Sequence, residues 1–245
     1  MTIQMRLDLC GLYRSARRKS RILLAGYAYD MIIRIMSKDL NPEKALIFRI
    51  VHKDNVGTVL DRGCHCPSTT HGQNYVGIGN QELISRRAAR SVPCGPGGTL
   101  SDYVPFYFTP FSPMLYNIKT GHNGILQRPM QDILILVSSL HHLVKLRVPF
   151  VFTDRHAYLR TAQFSTDLAD LNRVIWPALQ ARDFKHDDAD KFEKYQAEAL
   201  VHKHVPLAAL LGIVCYDDKV KAEIETDAEK LGAEIKVLTR RKWFL

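Results

Sequence analysis

Short apolar and polar segments alternate along the chain and predict a mixture of strands and helices. Residues 45–51 are apolar and rich in β-branched side chains, which indicates a buried strand. Asp54 then predicts the cap of a short helix, and Gly63 predicts its end. Glycine suits that end because it alone adopts a left-handed turn without steric penalty.

The next third of the chain is rich in loop-forming residues. Residues 64–80 contain Pro, Ser, Thr, Asn and three glycines and predict a loop, and residues 82–90 predict one or two helical turns. Residues 103–108 predict an aromatic strand, in which Pro105 indicates a sheet edge or a bulge because proline cannot donate to a strand ladder.

The second half continues the alternation. Four apolar segments predict further strands, at residues 133–137, 150–153, 210–216 and 235–238. A helix is predicted over residues 219–231, and residues 159–190 are polar and predict helix in part. With no internal repeat and no clear linker, residues 36–245 are expected to form one α+β domain.

Composition narrows the class of protein. The 245 residues are 46% hydrophobic and 24% charged, as in ordinary globular proteins. No apolar run reaches the roughly 18 residues that span a bilayer, so we expect a soluble, cytoplasmic protein without a membrane partner. The formal net charge is +9, of which +5 falls in residues 1–35. The milder excess elsewhere is compatible with a phosphate-binding groove without demanding one.

Residues 1–35 are rich in arginine and poor in acidic residues. They have neither the long apolar stretch nor the cleavage site of a signal peptide. The segment from Met36 to Pro42 is typical of a new start. We therefore expect residues 1–35 to be a basic N-terminal extension of doubtful status, without a catalytic role.

The cysteines give no sign of a disulfide framework or a metal centre. The chain has five cysteines, an odd number at scattered positions, which is typical of a reducing compartment. Cys64, His65 and Cys66 lie near His71, but structural zinc sites prefer two C-x₂₋₄-C type pairs. We predict that no metal is bound.

The candidate chemistry begins with Gln196-Ala197-Glu198 at the start of an apolar segment. ADP-ribosyltransferases bind NAD with a Gln-x-Glu in this position, where the Glu stabilises the positive charge that develops on the ribose when nicotinamide leaves. The tripeptide alone is weak evidence, since Ala, Glu and Leu also favour a surface helix. Its weight depends on the upstream sequence.

The upstream motifs, taken in order, resemble the DarT family of DNA ADP-ribosyltransferase toxins. The motifs are residues 50–52, 82–87, 102–108, 112–116, 152–157 and 180–184. The resemblance runs from about Leu40 to Phe244, and residues 102–116 are its most specific part. It implies an α+β ADP-ribosyltransferase-like fold, a split central β-sheet flanked by helices, with a strand at Glu198. It also implies NAD as co-substrate, single-stranded DNA as substrate and a macrodomain antitoxin as partner.

The resemblance further implies a role for individual residues. The catalytic residues would be Glu198 and Arg87. The NAD-binding residues would be His52, Arg87, Tyr103 and Tyr107. The DNA-binding residues would be Met114, Tyr116, Arg155 and His156. Because Arg86 adjoins Arg87, a shift of one residue in the alignment would exchange their roles.

The sequence thus predicts transfer of ADP-ribose from NAD to a base of single-stranded DNA, with thymine favoured over guanine. Single-stranded substrate is expected because an enzyme that modifies a base must reach it unstacked. Transfer to RNA or protein, and a single-stranded nucleic-acid-binding module without catalysis, remain alternatives. A glycoside hydrolase would require a second carboxylate roughly 5–10 Å from Glu198, for which Asp154 and Asp183 are candidates by residue type.

Overall fold

A computed structural model of the protein describes residues 37–69 and 75–244. The predicted basic extension, residues 1–35, lies outside the described residues. Among the described residues, no helix is long and apolar enough to cross a membrane.

A mixed sheet of eight strands runs through the described residues in the order β10-β9-β4-β1-β3-β7-β5-β6. Its strands are β1 Leu46–His52, β3 Tyr103–Tyr107, β4 Ile133–Ser139, β5 Phe150–Thr153, β6 Phe164–Ser165, β7 Glu198–His202, β9 Gly212–Cys215 and β10 Val237–Thr239. A separate antiparallel pair joins β2 Cys64–His65 to β8 His204–Val205. All neighbours in the large sheet are antiparallel except β9 and β10.

Seven α-helices flank the sheet within the described residues. They are α1 Val56–Arg62, α2 Gln81–Ala88, α3 Pro113–Thr120, α4 Leu140–Lys145, α5 Trp176–Ala181, α6 Ala189–Tyr195 and α7 Asp218–Lys230. Helix α7 shows why such segments are helical. Asp217 accepts a hydrogen bond from the N–H of Val220 at its start, and Val220, Ile224 and Ala228 form one buried stripe.

The sheet is split in its middle. Strand β1 pairs with β4 through seven residue pairs, and β3 pairs with β7 through five. Between β1 and β3, however, the only residue pair in the register is Phe48 with Tyr107. The two halves of the sheet therefore separate at this junction, as the predicted split central sheet requires.

Two local predictions were wrong, and the split explains one of them. Pro105 lies inside the sheet, not at its edge, and its carbonyl oxygen accepts a hydrogen bond from Nη1 of Arg49 at 3.0 Å. A proline is tolerated there because it faces the side on which almost no strand ladder forms. Asp54 does not cap α1: it lies in a 3₁₀ turn whose cap is His52, and helix α1 follows Asn55 directly.

Candidate active site

Glu198 is the first residue of β7, directly opposite Tyr107 of β3. Helix α6 ends at Tyr195, whose hydroxyl donates to the carbonyl oxygen of Phe111 at 3.0 Å, and the chain then turns into the strand. Tertiary pairing with β3 and β5 outweighs the helical propensity of this segment. The carboxylate lies beside the split in the sheet and is only 1% exposed.

Both oxygens of the Glu198 carboxylate have partners. Oε2 accepts a hydrogen bond from Nη2 of Arg87 at 2.6 Å, and Oε1 accepts one from the N–H of Ala157 at 3.1 Å. Nδ1 of His156 lies 3.5 Å from Oε1. A buried carboxylate normally needs such a paired and hydrogen-bonded environment to remain charged.

These partners decide the protonation of the site. Burial works to raise the pKa of Glu198, but the charge of Arg87 foremost, together with the hydrogen bonds from Arg87 and Ala157, outweighs it, so the pKa is lowered. Burial works to lower the pKa of Arg87, and the charge of Glu198 overcomes it, so that pKa is raised. Burial lowers the pKa of His156. At neutral pH the site therefore holds a carboxylate, a guanidinium and an uncharged imidazole.

The geometry distinguishes the two adjacent arginines of α2. Asn80 caps this helix by accepting a hydrogen bond from the N–H of Leu83 at 3.0 Å. Arg86 is exposed and forms an ion pair with Glu82 one turn earlier. Arg87 points inward to Glu198. Its raised pKa also means that Arg87 is a cation at neutral pH and not a proton acceptor.

Tyr107 extends the site towards α3. Its hydroxyl donates to Sδ of Met114 at 3.6 Å, and its ring stands opposite Glu198 across the β3–β7 pair. Burial and the charge of Glu198 raise the pKa of Tyr107 to about 12, so the phenol is protonated at neutral pH. The structure thus brings Tyr107 and Met114, predicted from sequence for NAD and DNA respectively, next to each other and to Glu198.

Tyr103 does not lie in this site. It is fully buried, packs with Val92, Leu100 and Val151, and donates its hydroxyl to the carbonyl oxygen of Gly97 at 2.7 Å. The prediction that Tyr103 binds NAD is corrected by this placement. The alternating aromatic pattern along β3 cannot distinguish the two tyrosines. What distinguishes them is the loop containing Gly97, which covers Tyr103.

His52 lies at the end of β1, on the opposite side of the split from Glu198. It is buried, and its Nδ1 accepts a hydrogen bond from the N–H of Asp54 at 3.2 Å. This contact fixes the orientation of the ring. His52 is therefore on β1 and does not touch Arg87 or Glu198 through any of its described contacts.

Of the predicted DNA-binding pair Arg155 and His156, only the histidine is at the site. Arg155 forms ion pairs with Asp154, Asp190 and Glu193 and is 14% exposed in its side chain. To contact a DNA phosphate, Arg155 would have to break its ion pairs with these three carboxylates. The sequence could not show this, because two of the three acids are more than thirty positions away.

Tyr116 is exposed and lies on α3, two residues beyond Met114. Its ring meets those of His122 and Phe184 edge-on, with centroids 6.3 and 6.1 Å away. Aromatic faces at a protein surface are typical of sites on which unpaired bases stack.

A groove of about 500 Å³ beside this site contains an arginine that the sequence did not single out. Its walls are residues 77–82 and 123–126, with Arg128. Nε of Arg128 is buried without a hydrogen-bond partner, and no described residue forms an ion pair with its guanidinium. A Cβ atom built on Gly79 would lie 3.8 Å from the terminal methyl of Met114, so the groove adjoins the site. Only the three-dimensional structure isolates this arginine from the many others.

Within residues 37–69 and 75–244, no three His, Cys, Asp or Glu side chains are grouped so that they could hold a metal ion. Cys64 and Cys66 are buried free thiols, and burial raises the pKa of Cys64 to about 11. His71, which we considered with them, lies outside the described residues.

Comparison with known proteins agrees with this architecture. Residues 48–245 match the model of a family described as "ssDNA thymidine ADP-ribosyltransferase, DarT". A DNA ADP-ribosyl transferase of Escherichia coli O127:H6 is 51% identical over 220 residues, which cover 89% of this chain and 99% of that protein. Because the match covers most of the chain at this identity, the chain belongs to the DarT family.

Solved structures of similar fold include Thermus sp. 2.9 DarT in complex with ADP-ribosylated ssDNA. That structure matches with a TM-score of 0.78 and 35% identity, over 84% of this chain and 98% of that one. The same Thermus protein in complex with NAD+ matches with a TM-score of 0.73 over 84% of this chain and 100% of that one. The α+β ADP-ribosyltransferase fold predicted from sequence is confirmed.

Proposed function

We propose that this protein is the toxin of a toxin–antitoxin pair and transfers ADP-ribose from NAD to thymine in single-stranded DNA. The observation that carries the proposal is the carboxylate of Glu198, which is buried and lies 2.6 Å from Nη2 of Arg87. Membership of the DarT family and the Thermus relative solved with ADP-ribosylated ssDNA support the same reaction.

The reaction exchanges one glycosidic bond for another. The bond between nicotinamide and C1 of its ribose breaks, and nicotinamide leaves with the bonding electron pair. A ring nitrogen of thymine then bonds to that carbon; in a nucleoside this is N3, since N1 already carries the deoxyribose. The N3 proton is lost to a basic group, for which the carboxylate of Glu198 and the uncharged imidazole of His156 are the candidates.

Glu198 acts on the charge that this exchange creates. Positive charge develops on the ribose as nicotinamide leaves, and a fixed carboxylate in a dry site stabilises it more than water would. The same oxygens can accept hydrogen bonds from ribose hydroxyls. Because Arg87 and the N–H of Ala157 hold the carboxylate in place, little reorganisation is needed at the moment of reaction.

Arg87, His52 and Tyr107 are the residues we assign to NAD. Arg87 is a buried cation whose planar fork suits the diphosphate, and only its Nη2 is engaged by Glu198. Tyr107 offers a protonated ring beside the carboxylate, and His52 lines the opposite strand of the split. Nicotinamide, ribose and diphosphate would thus lie along the split between β1 and β3.

We assign the DNA strand to the surface formed by Met114, Tyr116 and the groove of Arg128. The guanidinium of Arg128, with which no described residue forms an ion pair, provides a phosphate contact, and Tyr116 provides an exposed ring for base stacking. Met114 touches Tyr107, so it connects this surface to the carboxylate. The acceptor base would enter from the α3 side and NAD from the split.

The partner we propose is a macrodomain antitoxin that removes the ADP-ribose from DNA. Family membership supports this, since a modified template base would block replication and must be reversed in a surviving cell. Co-expression tests it: a macrodomain that hydrolyses ADP-ribosyl-thymidine should restore growth, whereas its active-site variant should not.

A panel of acceptors tests the proposed reaction. Purified protein and NAD are mixed with single-stranded oligonucleotides that differ only in containing one thymine or none, with the matching duplex and RNA, and the products are weighed. The proposal predicts one added ADP-ribose only on the thymine-containing single strand. A mass gain on thymine-free DNA, on RNA or on protein instead would overturn the assigned acceptor.

A further inference from the structure

Arg155 lies at the centre of three carboxylates, two of which belong to α6. Its Nε is 3.2 Å from Oδ2 of Asp154, and its Nη1 is 3.1 Å from Oδ1 of Asp190 and 3.0 Å from Oε2 of Glu193. Burial works to lower the pKa of Arg155, but these acids raise it. The guanidinium therefore links the segment after β5 to α6.

The segment that Arg155 anchors also encloses Glu198. The hydroxyl of Thr153 accepts a hydrogen bond from the N–H of Glu198 at 3.2 Å and donates to the carbonyl oxygen of Arg155 at 2.6 Å. The N–H of Ala157 donates to the Glu198 carboxylate at 3.1 Å. The N–H of His156 donates to the carbonyl oxygen of Glu193 in α6 at 3.2 Å.

We propose that Arg155 is a positioning residue for Glu198: by tying residues 153–157 to α6, it holds the Ala157 N–H and the His156 ring against the carboxylate. The inference rests on the proposed function, since it assigns Arg155 to the site of Glu198. It replaces the role in DNA binding that the family resemblance implies for Arg155.

Loss of Arg155 should therefore lower kcat and leave KM for DNA unchanged. The groups that face the Glu198 carboxylate are Arg87 from α2, Tyr107 from β3, and His156 and the Ala157 N–H from the segment after β5. Without Arg155, the His156 ring and the Ala157 N–H shift. The Glu198 carboxylate then loses its alignment, and its pKa rises. The acidic limb of the kcat–pH profile then moves to higher pH. Binding of DNA is unaffected.

The test uses Arg155→Gln, with Arg155→Lys as the conservative variant and Lys191→Gln as a matched control. Lys191 also bridges two carboxylates near α6, with 2.9 Å to Asp183 and 2.8 Å to Asp187. Arg155→Gln should lower kcat on the order of tenfold to a hundredfold, as expected for a displaced catalytic group, with KM for the oligonucleotide unchanged. Arg155→Lys should recover part of the loss, and Lys191→Gln should match the wild type.

Glu193→Gln provides a second variant, because Glu193 is partly exposed and its loss leaves Arg155 in place. It should lower kcat, and combining it with Arg155→Gln should cause little further loss, since both act through one link. If Arg155 instead contacts DNA, Glu193→Gln removes a repelling charge and strengthens DNA binding. If Arg155→Gln does not fold in a thermal unfolding scan, Glu193→Gln alone decides.

The proposal is overturned if Arg155→Gln keeps the wild-type kcat and pH profile. It is equally overturned if that variant only raises KM for DNA and reduces the salt dependence of log K by about one unit, as loss of a phosphate contact would. Including Glu198→Gln separates this failure from failure of the proposed function. If Glu198→Gln is active, both the proposed function and the positioning role of Arg155 are contradicted. If Glu198→Gln is inactive and Arg155→Gln behaves as the wild type, only the positioning role is contradicted.

Discussion

Arg87 and Glu198 lie 111 residues apart in the sequence and form an ion pair of 2.6 Å where the central sheet splits. The pair keeps a buried carboxylate charged before any substrate is present. It also ties α2, which has no fully buried residue, to the sheet. In the proposed reaction, Arg87 would contact both the NAD diphosphate and the carboxylate that acts on the ribose.

Substitution of Arg87 should impair both stability and catalysis, whereas substitution of Arg86 should impair neither. Removing one member of a buried ion pair leaves the other charge uncompensated, which costs on the order of 3 kcal/mol. We therefore expect Arg87→Ala to lower the free energy of unfolding by about that amount and to raise KM for NAD. Urea denaturation and initial rates measure the two effects.

Arg86→Ala is the matched control, because Arg86 is exposed and, among the described residues, its ion-pair partner is Glu82 in its own helix. An isolated pair of this kind contributes less than about 0.5 kcal/mol. Equal losses in the two variants would contradict the assignment of Arg87 to the site.

Tyr103 should contribute to stability, and Tyr107 should contribute to catalysis. Tyr103→Phe removes the hydrogen bond to the Gly97 carbonyl and should lower the free energy of unfolding by about 1 kcal/mol, with kcat/KM unchanged. Tyr107→Phe removes the hydroxyl that meets Met114 beside Glu198 and should lower kcat/KM with little change in stability. The opposite assignment of effects would place Tyr103 in the site.

Asp102 should make stability depend on pH. Its carboxylate accepts hydrogen bonds from Lys203, from the N–H of Thr99 at 2.9 Å and from Ser68 at 2.9 Å. Lys203 foremost holds the pKa of Asp102 well below its ordinary value, which is about 3.9 in an unfolded chain. Folding therefore gains stability from Asp102 above that pH, and the gain is lost as pH falls through the folded-state pKa.

Asp102→Asn should accordingly lower the free energy of unfolding by about 2 kcal/mol at pH 7, the scale of hydrogen bonds to a charged group. The difference from the wild type should shrink below about pH 4. Denaturation at pH 7, 5 and 3 measures it. If the difference in the free energy of unfolding between Asp102→Asn and the wild type stays constant from pH 7 to pH 3, Asp102 is excluded as the source of the pH dependence.

Arg128 and Tyr116 should affect DNA in different ways. Arg128→Gln should raise KM for the oligonucleotide and reduce the slope of log K against log salt by about one phosphate contact. Tyr116→Ala should cost about 1–3 kcal/mol of base stacking without changing that slope. Rates at several salt concentrations separate the two. If Arg128→Gln instead raises KM for NAD alone, the groove binds the cofactor.

Local patterns in the sequence predict much of this fold. The strand predicted at residues 150–153 has the observed bounds, and the helix predicted at 219–231 differs by one residue at each end. The strand is a short, continuously buried apolar run, and the helix has a buried stripe at helical spacing, and the chain shows both patterns directly. At Glu198, propensity favoured a helix, and the strand that the family resemblance implied was confirmed because pairing with β3 and β5 decides the structure there.

The site is less predictable because its geometry is non-local. The family pattern supplied Glu198 and Arg87, and the structure places them in contact. It also supplied Tyr103 and Arg155, whose surroundings are set by a covering loop and by acids on α6. No spacing along the chain reports such neighbours.

The central claim is that the Glu198 carboxylate drives transfer of ADP-ribose to thymine. The most direct measurement compares the wild type with Glu198→Gln, which keeps the shape of the side chain and removes its charge. Nicotinamide release and oligonucleotide mass are followed together on a single-stranded substrate with one thymine. We expect equal amounts of nicotinamide and ADP-ribosylated oligonucleotide from the wild type. From the folded variant we expect a loss of both by on the order of a hundredfold or more. A variant that modifies the oligonucleotide at the wild-type rate would contradict the central claim.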